Sequence, residues 1–190
     1  MKVITILGSP RKKGKTAQTL DLFEDNLIAQ GHEVERIHLT DHQIKGCLGY
    51  HSCMKKNDVP GCVLKDDAVP IFEKIILADV IVYASPIYYF DFTSQFKTFL
   101  DRHWCLTQNF GTPYASSNIV GKRVALLITC MGMAEQNADL AQEIFERSMR
   151  GVLGCNIIGK YVVPLSEAPD FKDRAKEIAD KLLEDIMIED

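Results

Sequence analysis

The segment from Leu7 to Thr16 joins an apolar strand to an amphipathic helix through a short polar and basic turn, Gly-Ser-Pro-Arg-Lys-Lys-Gly-Lys. The residues before it are those typical of a buried parallel strand: Val3, Ile4, Ile6 and Leu7. The apolar residues after it recur at helical spacing: Ala17, Leu20, Phe23, Leu27 and Ile28. A chain that begins in this way is predicted to form a strand-loop-helix unit, which belongs in a parallel sheet.

The loop of this unit has the chemistry of a phosphate site. The first N–H groups of a helix have no internal acceptor, and the helix dipole and nearby basic residues add positive potential. The hydroxyls of Ser9 and Thr16 can donate two further hydrogen bonds. An alternative stays open, in which the loop is an ordinary Gly/Pro turn whose basic side chains are solvated and bind no ligand.

Two better-known nucleotide loops do not match this one. The nucleoside triphosphate loop needs four residues between its first Gly and its Gly-Lys-Ser/Thr ending, whereas five lie between Gly8 and Gly14. No later strand ends in the Asp that such NTPases use for magnesium. The dinucleotide fingerprint G-x-G-x-x-G is also absent. The sequence therefore favours a monophosphate.

Composition restricts the function classes. A chain of 190 residues, 46% hydrophobic and 25% charged, is predicted to form one domain over residues 1–190. No window is apolar enough for a membrane span, and the first apolar stretch is too short for a signal peptide, so we expect a cytoplasmic protein without a membrane partner. The net charge is −4, and the basic cluster in the first loop is too small for a duplex, so nucleic acid is not expected.

Strands and helices alternate along the whole chain. Further strands are predicted near residues 33–38, 80–84, 124–129 and 156–163. A helix is predicted from Asp66 or Asp67 to Leu77, and another follows the third strand and ends near Trp104. Two more helices are predicted from apolar residues that share a face: Ala138, Ala141, Phe145 and Met149, and then Ala175, Ile178, Ala179, Leu182, Leu183 and Ile186. Five such units predict an α/β doubly wound parallel sheet with helices on both faces.

Ligands of such sheets bind beyond the carboxyl ends of the strands, where the loops after strands one, three and four meet. The third loop, Ser85 to Phe90, is rich in aromatic residues and suits a flat ring. The fourth loop, Cys130 to Gly132, lets backbone approach a ring edge. Together the three loops predict a flavin mononucleotide (FMN) site. Core or dimer packing of the aromatic residues is the alternative.

Three motifs resemble those of the flavodoxin-like NAD(P)H-dependent FMN reductases. They are Gly8-Ser9-Pro10-Arg11 through Gly14-Lys15-Thr16, then Ser85-Pro86-Ile87-Tyr88, then Phe99-Leu100-Asp101-Arg102. The resemblance covers nearly the whole chain and implies strand order 2-1-3-4-5, FMN as cofactor and NADPH or NADH as donor. It also implies a homodimer or tetramer with FMN near the subunit interface, and a flavin, quinone or other small acceptor.

Carried across residue by residue, the resemblance implies a cofactor-binding set without catalytic or metal-ligating residues. Ser9, Arg11 and Thr16 would bind the phosphate, while Lys15 stands where the family often has Asn. The full candidate set is Ser9, Arg11, Lys15, Thr16, Ala17, Pro86, Ile87, Tyr88, Tyr89, Phe90, Thr129, Met131 and Gly132. The flavin itself carries the chemistry, and the protein binds and orients it.

A cysteine-bearing segment, Gly46 to Lys65, resembles the iron–sulfur flavoproteins of the same family. Those proteins have a C-x-x-C-x-x-C run followed by a fourth Cys, but Tyr50 occupies the second position here. Because a [4Fe–4S] cluster normally needs four thiolates, we predict that Cys47, Cys53 and Cys62 hold no cluster. Two other possibilities remain open: a zinc ion bound by Cys47, His51, Cys53 and Cys62, and a redox pair formed by Cys47 and Cys53. This segment and residues 105–120 are expected to determine which electron acceptor the protein binds.

Two other functions remain open at this stage. A flavodoxin-type electron carrier would use the same cofactor, although such carriers tend to be strongly acidic around the flavin. A sensing protein would hold FMN without turnover.

Overall fold

Parallel strands form the centre of the fold and confirm the predicted sheet. The computed structural model describes residues 1–55 and 60–188. Its strands are β1 (Lys2–Leu7), β2 (Glu33–His38), β3 (Val80–Tyr88), β4 (Asp91–Phe92), β5 (Thr107–Gln108), β6 (Ser116–Ser117), β7 (Arg123–Thr129) and β8 (Asn156–Val163). The parallel strands run in the order β2-β1-β3-β7-β8, which is the predicted order 2-1-3-4-5. The short strands lie outside this path, β4 paired with β3 and β5 with β6.

Helices cover both faces of the sheet. They are α1 (Lys15–Ala29), α2 (Ala68–Leu77), α3 (Ser94–Asp101), α4 (Asp139–Glu146) and α5 (Phe171–Met187). One buried apolar cluster joins the sheet to α1 and α5, and a second joins it to α2, α3 and α4. Successive strand residues such as Val3 and Ile4 belong to opposite clusters, because side chains alternate along a strand. Along the described chain, no helix has the length and apolar character needed to cross a bilayer.

Two local predictions were wrong. The third strand does not end at Ala84 but continues to Tyr88, because its last residues pair with the short strand β4 in an antiparallel hairpin. Ile28, predicted on the buried face of the first helix, is 58% exposed. The buried face is already complete with Leu20, Phe23 and Leu27.

A buried ion pair fixes the segment that follows β2. Arg102 and Asp66 are each only 1% exposed, and the guanidinium donates to both carboxylate oxygens and to the carbonyl of Lys45. Burial by itself raises the pKa of the Asp66 carboxyl, but hydrogen bonds from Arg102 and from the amides of Lys45 and Ala68 hold that pKa below its ordinary value. The pair therefore attaches Lys45 and Asp66 to the turn after α3.

A buried histidine sits in the same turn. The Nδ1 atom of His103 lies 3.0 Å from the carbonyl oxygen of Phe99, and Nε2 lies 3.0 Å from the Tyr83 hydroxyl. A carbonyl only accepts, so Nδ1 carries the proton and Nε2 accepts from Tyr83. Burial lowers the pKa of His103 from its usual 6.5 to about 4, against the smaller opposite effect of its hydrogen bond to Phe99.

We expect Asp66→Ala to lower the free energy of unfolding by about 3–5 kcal/mol, because it leaves the buried Arg102 charge unpaired. Urea denaturation measures this. Glu143→Ala is the matched control, since its partner Arg147 is 78% exposed and Glu143 is 53% exposed; a change below about 0.5 kcal/mol is expected there. Equal effects of the two substitutions would contradict the buried-pair argument.

The histidine predicts a pH dependence of stability. The unfolded chain protonates His103 near its usual pKa of 6.5, whereas the folded chain resists protonation until about 4. The contribution of His103 to the free energy of unfolding is therefore complete above pH 6.5 and is lost as the pH falls toward 4. Between about pH 7.5 and about pH 4.5, the advantage of the wild type over His103→Gln should shrink by about 2–3 kcal/mol. Urea denaturation at each pH tests this, and an unchanged difference would contradict it.

Candidate functional site

Three parallel strands end side by side and bring their loops to one edge of the sheet. Leu7 of β1 pairs with Ala84 of β3, and Pro86 of β3 pairs with Thr129 of β7. A cavity of about 370 Å³ lies beyond these ends. Its lining residues are Ser9, Arg11, Gly14, Lys15, Thr16, Pro86, Ile87, Tyr88, Tyr89, Thr129, Cys130, Met131, Ser166 and Glu167. The cavity therefore lies where the topology of the sheet predicts a ligand.

The first loop presents backbone donors to this cavity. Gly14 is the N-cap of α1 and supplies no side-chain cap, and the first turn carries no acidic residue. The amides of residues 15–17 have no intrahelical acceptor, and no hydrogen bond joins them to another described residue. Such a helix start, with Arg11 beside it, is a suitable site for an anion.

Close packing explains the two glycines of this loop. A Cβ on Gly8 would lie 2.7 Å from Cβ of Phe96 in α3, a contact that real structures do not contain. A Cβ on Gly14 would lie 3.0 Å from Cβ of Arg11 and 3.2 Å from its carbonyl oxygen. Without a side chain, Gly8 can pack against α3 and Gly14 can lie against Arg11 in the same loop.

An aromatic hairpin forms the opposite wall. Tyr89 and Phe90 make the turn between β3 and β4 with positive φ angles of 50° and 68°. Left-handed backbone is unfavourable for bulky residues, and such strain concentrates at functional sites. Tyr88 and Tyr89 line the cavity although Tyr89 is 96% exposed. The hairpin thus holds large aromatic rings at the mouth of the cavity.

The floor of the cavity is polar and buried. The hydroxyls of Thr16 and Thr129 are 2.6 Å apart, which joins the start of α1 to the end of β7. Cys130 lies beside them with its thiol directed to the carbonyl oxygens of Gly132 and Met133. Burial, with a smaller effect of Glu135, raises the pKa of the Cys130 thiol. This cysteine is therefore not poised to act as a thiolate.

Most, but not all, of the predicted cofactor-binding residues line this cavity. The lining includes Ser9, Arg11, Lys15, Thr16, Pro86, Ile87, Tyr88, Tyr89, Thr129 and Met131. Three others lie outside the lining. Ala17 is fully buried in the core, Phe90 packs on Tyr89 away from the cavity, and Gly132 accepts a hydrogen bond from the Leu165 amide.

One lining segment was missing from the sequence prediction. Ser166 and Glu167 reach the cavity from the loop after β8. The amides of Leu165 and Ser166 donate to the carbonyls of Gly132 and Cys130, which draws this loop against the one after β7. The signal was available, because the fifth strand ends at the same edge of the sheet as the other parallel strands.

Lys15 makes a contact that its sequence position did not indicate. Its Nζ lies 4.3 Å from the ring centroid of Phe171, at the start of α5. A cation over an aromatic face is attracted by the ring quadrupole. The ammonium is thus held at the side of the cavity, where it contributes positive potential.

Other cavities lie elsewhere in the molecule. One of about 660 Å³ lies at the amino ends of β7 and β8, around Arg123 and Asn156. A more apolar one of about 350 Å³ is lined by Cys47, Cys53, Cys62 and neighbouring apolar residues. Among residues 1–55 and 60–188, no group of three or more His, Cys, Asp or Glu side chains is arranged to hold a metal ion. Residues 56–59 of the Gly46–Lys65 segment lie outside the described residues.

Curated relatives share about a third of their residues with the matched part of this chain. An iron–sulfur flavoprotein of Archaeoglobus fulgidus is 39% identical over 102 residues, which is 54% of this chain and 45% of that protein. One from Methanosarcina thermophila is 28% identical over 126 residues, or 66% of this chain and 63% of that protein. The chain spans about half the length of the first of these relatives. The predicted absence of a cluster in this chain stays a prediction.

Solved structures share the fold at lower identity. The NAD(P)H:quinone oxidoreductase from Methanothermobacter marburgensis has a TM-score of 0.77 and 18% identity, covering 100% of this chain and 98% of that one. An FMN-dependent NADH-azoreductase from Bacillus anthracis, solved in complex with FMN, has a TM-score of 0.73 and 14% identity, covering 98% and 99%.

The family is given by the sequence match. Residues 1–170 match the family described as NADPH-dependent FMN reductase. The match includes β1 through β8 and therefore every loop that lines the cavity. With this match and its flavodoxin-like sheet, the chain belongs to the NADPH-dependent FMN reductase family.

Proposed function

We propose that this chain binds FMN in the cavity at the carboxyl edge of the sheet and transfers reducing equivalents from NAD(P)H to a small acceptor. The observation that carries the proposal is the pairing of an anion-binding helix start with an aromatic hairpin across one cavity of about 370 Å³. A phosphate and a flat ring are the two ends of FMN. Membership of the family supports the same cofactor.

The first loop fits the phosphate end of the cofactor. The free amides at the start of α1 can each donate to a phosphate oxygen, and the guanidinium of Arg11 can add a charge-assisted bond. The Ser9 hydroxyl and the Thr16 hydroxyl lie on the lining of the same cavity. Both charged residues that this loop contributes to the lining, Arg11 and Lys15, are positive, so the loop compensates the charge of a phosphate.

The third and fourth loops fit the ring end. Tyr88 and Tyr89 offer aromatic faces for stacking, and Pro86 and Ile87 add apolar surface below them. Met131 lies at the opposite side of the cavity and is 70% exposed. Its flexible thioether can pack against a ring edge. We infer that these side chains orient the ring and exclude water from one of its faces.

When bound, FMN supplies the hydride and electron chemistry, as cofactors do. The residues that line the cavity would bind and orient it, and backbone amides of the loops after β3 and β7 would supply donors to the polar edge of its ring. The exposed side of the cavity leaves room for the donor and then the acceptor to occupy the same place in turn. Solved structures with this fold include a quinone oxidoreductase and an azoreductase, which supports a quinone or another flat aromatic acceptor.

We infer that two copies of the chain associate over this edge of the sheet. Tyr88 and Tyr89, which line the cavity, are 45% and 96% exposed, and Phe90 and Met133, which lie outside the lining but on the same loops, are 55% and 56% exposed. Large apolar side chains grouped on a surface mark an interaction site. Sedimentation should show a dimer or tetramer that dissociates in Tyr89→Ser, and a wild-type monomer at all concentrations would refute this association.

The proposed reaction is tested by an anaerobic visible spectrum of the purified protein reconstituted with FMN, followed by titration with NADPH. We expect an oxidised flavin band that bleaches in a single two-electron step and returns when a quinone is added. A stable blue semiquinone without NADPH oxidation would instead support a one-electron carrier. A protein that takes up no FMN would refute the proposal.

A further inference from the structure

We propose that His38 is a positioning residue for the phosphate loop, holding the backbone of Ser9 so that its carbonyl faces away from the bound phosphate. This inference rests on the proposed function, because it concerns the FMN phosphate. His38 is the last residue of β2 and does not line the cavity. Its side chain contacts the loop on the side that does not face the cavity.

The hydrogen bond to the loop has a defined direction. The Nε2 atom of His38 lies 2.7 Å from the carbonyl oxygen of Ser9, and the imidazole is 8% exposed. A carbonyl oxygen can only accept, so Nε2 carries the hydrogen and donates it. The Thr40 hydroxyl lies 3.2 Å from both ring nitrogens, and the Asp41 carboxylate lies 3.8 Å from Nδ1.

A second buried donor completes the support. The Thr93 hydroxyl, 1% exposed, donates to the carbonyl of Gly8 at 2.5 Å. The carbonyl of Arg11 accepts from the amide of Gly14 at 3.1 Å. Three loop carbonyls are therefore bonded within the protein, two of them by side chains from β2 and from the start of α3.

The direction of these carbonyls matters for an anion. A carbonyl oxygen carries partial negative charge, and one turned toward a phosphate would repel it, while the amides of the same loop attract it. A buried carbonyl without a donor would also rotate toward water in the cavity, because leaving it unsatisfied is costly. His38 thus keeps the loop in its anion-binding orientation before the cofactor arrives.

The experiment compares the dissociation constants of FMN and of riboflavin, which lacks the phosphate, by titration of intrinsic flavin fluorescence. His38→Leu removes the donor and should raise the FMN constant about tenfold, as loss of a supporting hydrogen bond commonly does. The riboflavin constant should change by less than about twofold. His38→Gln can still donate to the Ser9 carbonyl and should restore most of the FMN affinity.

Matched variants separate positioning from general damage. His42→Leu makes the same change four residues further along, at a histidine that faces Asp67 rather than the loop, and should leave both constants unchanged. Arg11→Gln, at a predicted direct contact, should weaken FMN selectively. If His38→Leu does not fold, His38→Asn replaces it, because the shorter amide of Asn cannot reach the Ser9 carbonyl. The dissociation constant of FMN should then be higher in His38→Asn than in His38→Gln.

The outcomes are distinguishable. Equal weakening of FMN and riboflavin in the His38 variants, or unchanged FMN binding, would overturn the positioning role while leaving the proposed function intact. A wild-type protein that binds neither flavin would overturn the proposed function itself.

Discussion

The parallel register of β1, β3 and β7 determines where every functional group of this protein can lie. Parallel neighbours need a crossover, so each strand of the sheet is followed by a loop at the same edge and by a helix that returns the chain. Leu7 lies level with Ala84 of β3, which pairs with Leu127 of β7, and β7 ends at Thr129 beside Pro86. The phosphate loop, the aromatic hairpin and the fourth loop therefore meet although they are far apart in sequence.

Buried polar groups in this fold are joined to one another across elements. Thr16 contacts Thr129, Tyr83 donates to His103, and Arg102 pairs with Asp66. Each contact joins segments that are distant in the chain, and each would be expensive to break because the groups are out of water. The first-turn amides of α1 differ, since no described residue accepts from them. That difference singles out the position at which a ligand can supply the missing acceptor.

The cysteine-bearing segment is attached to the rest of the fold by a buried side chain outside it. The Arg102–Asp66 pair attaches it to the turn after α3, and it encloses an apolar cavity of about 350 Å³. Trp104 and Phe110 form the wall opposite the cysteines. The sequence resemblance predicts that Tyr50 replaces one cluster cysteine in this segment. Arg102 therefore contacts the segment on both sides of its cysteines, at Lys45 and at Asp66.

The sequence by itself determined the strands, the helices and the phosphate loop, because these depend on the spacing of apolar residues and on the backbone amides of a helix start. Tertiary structure decided which side chains reach the cavity. Ala17 is local to the loop but faces the core, whereas Ser166 is distant and arrives because its amide bonds to Cys130. The extension of β3 to Tyr88 required pairing with β4, and the support from His38 required β2 to lie beside β1. Periodicity specifies which residues are buried, but only long-range packing specifies what they contact.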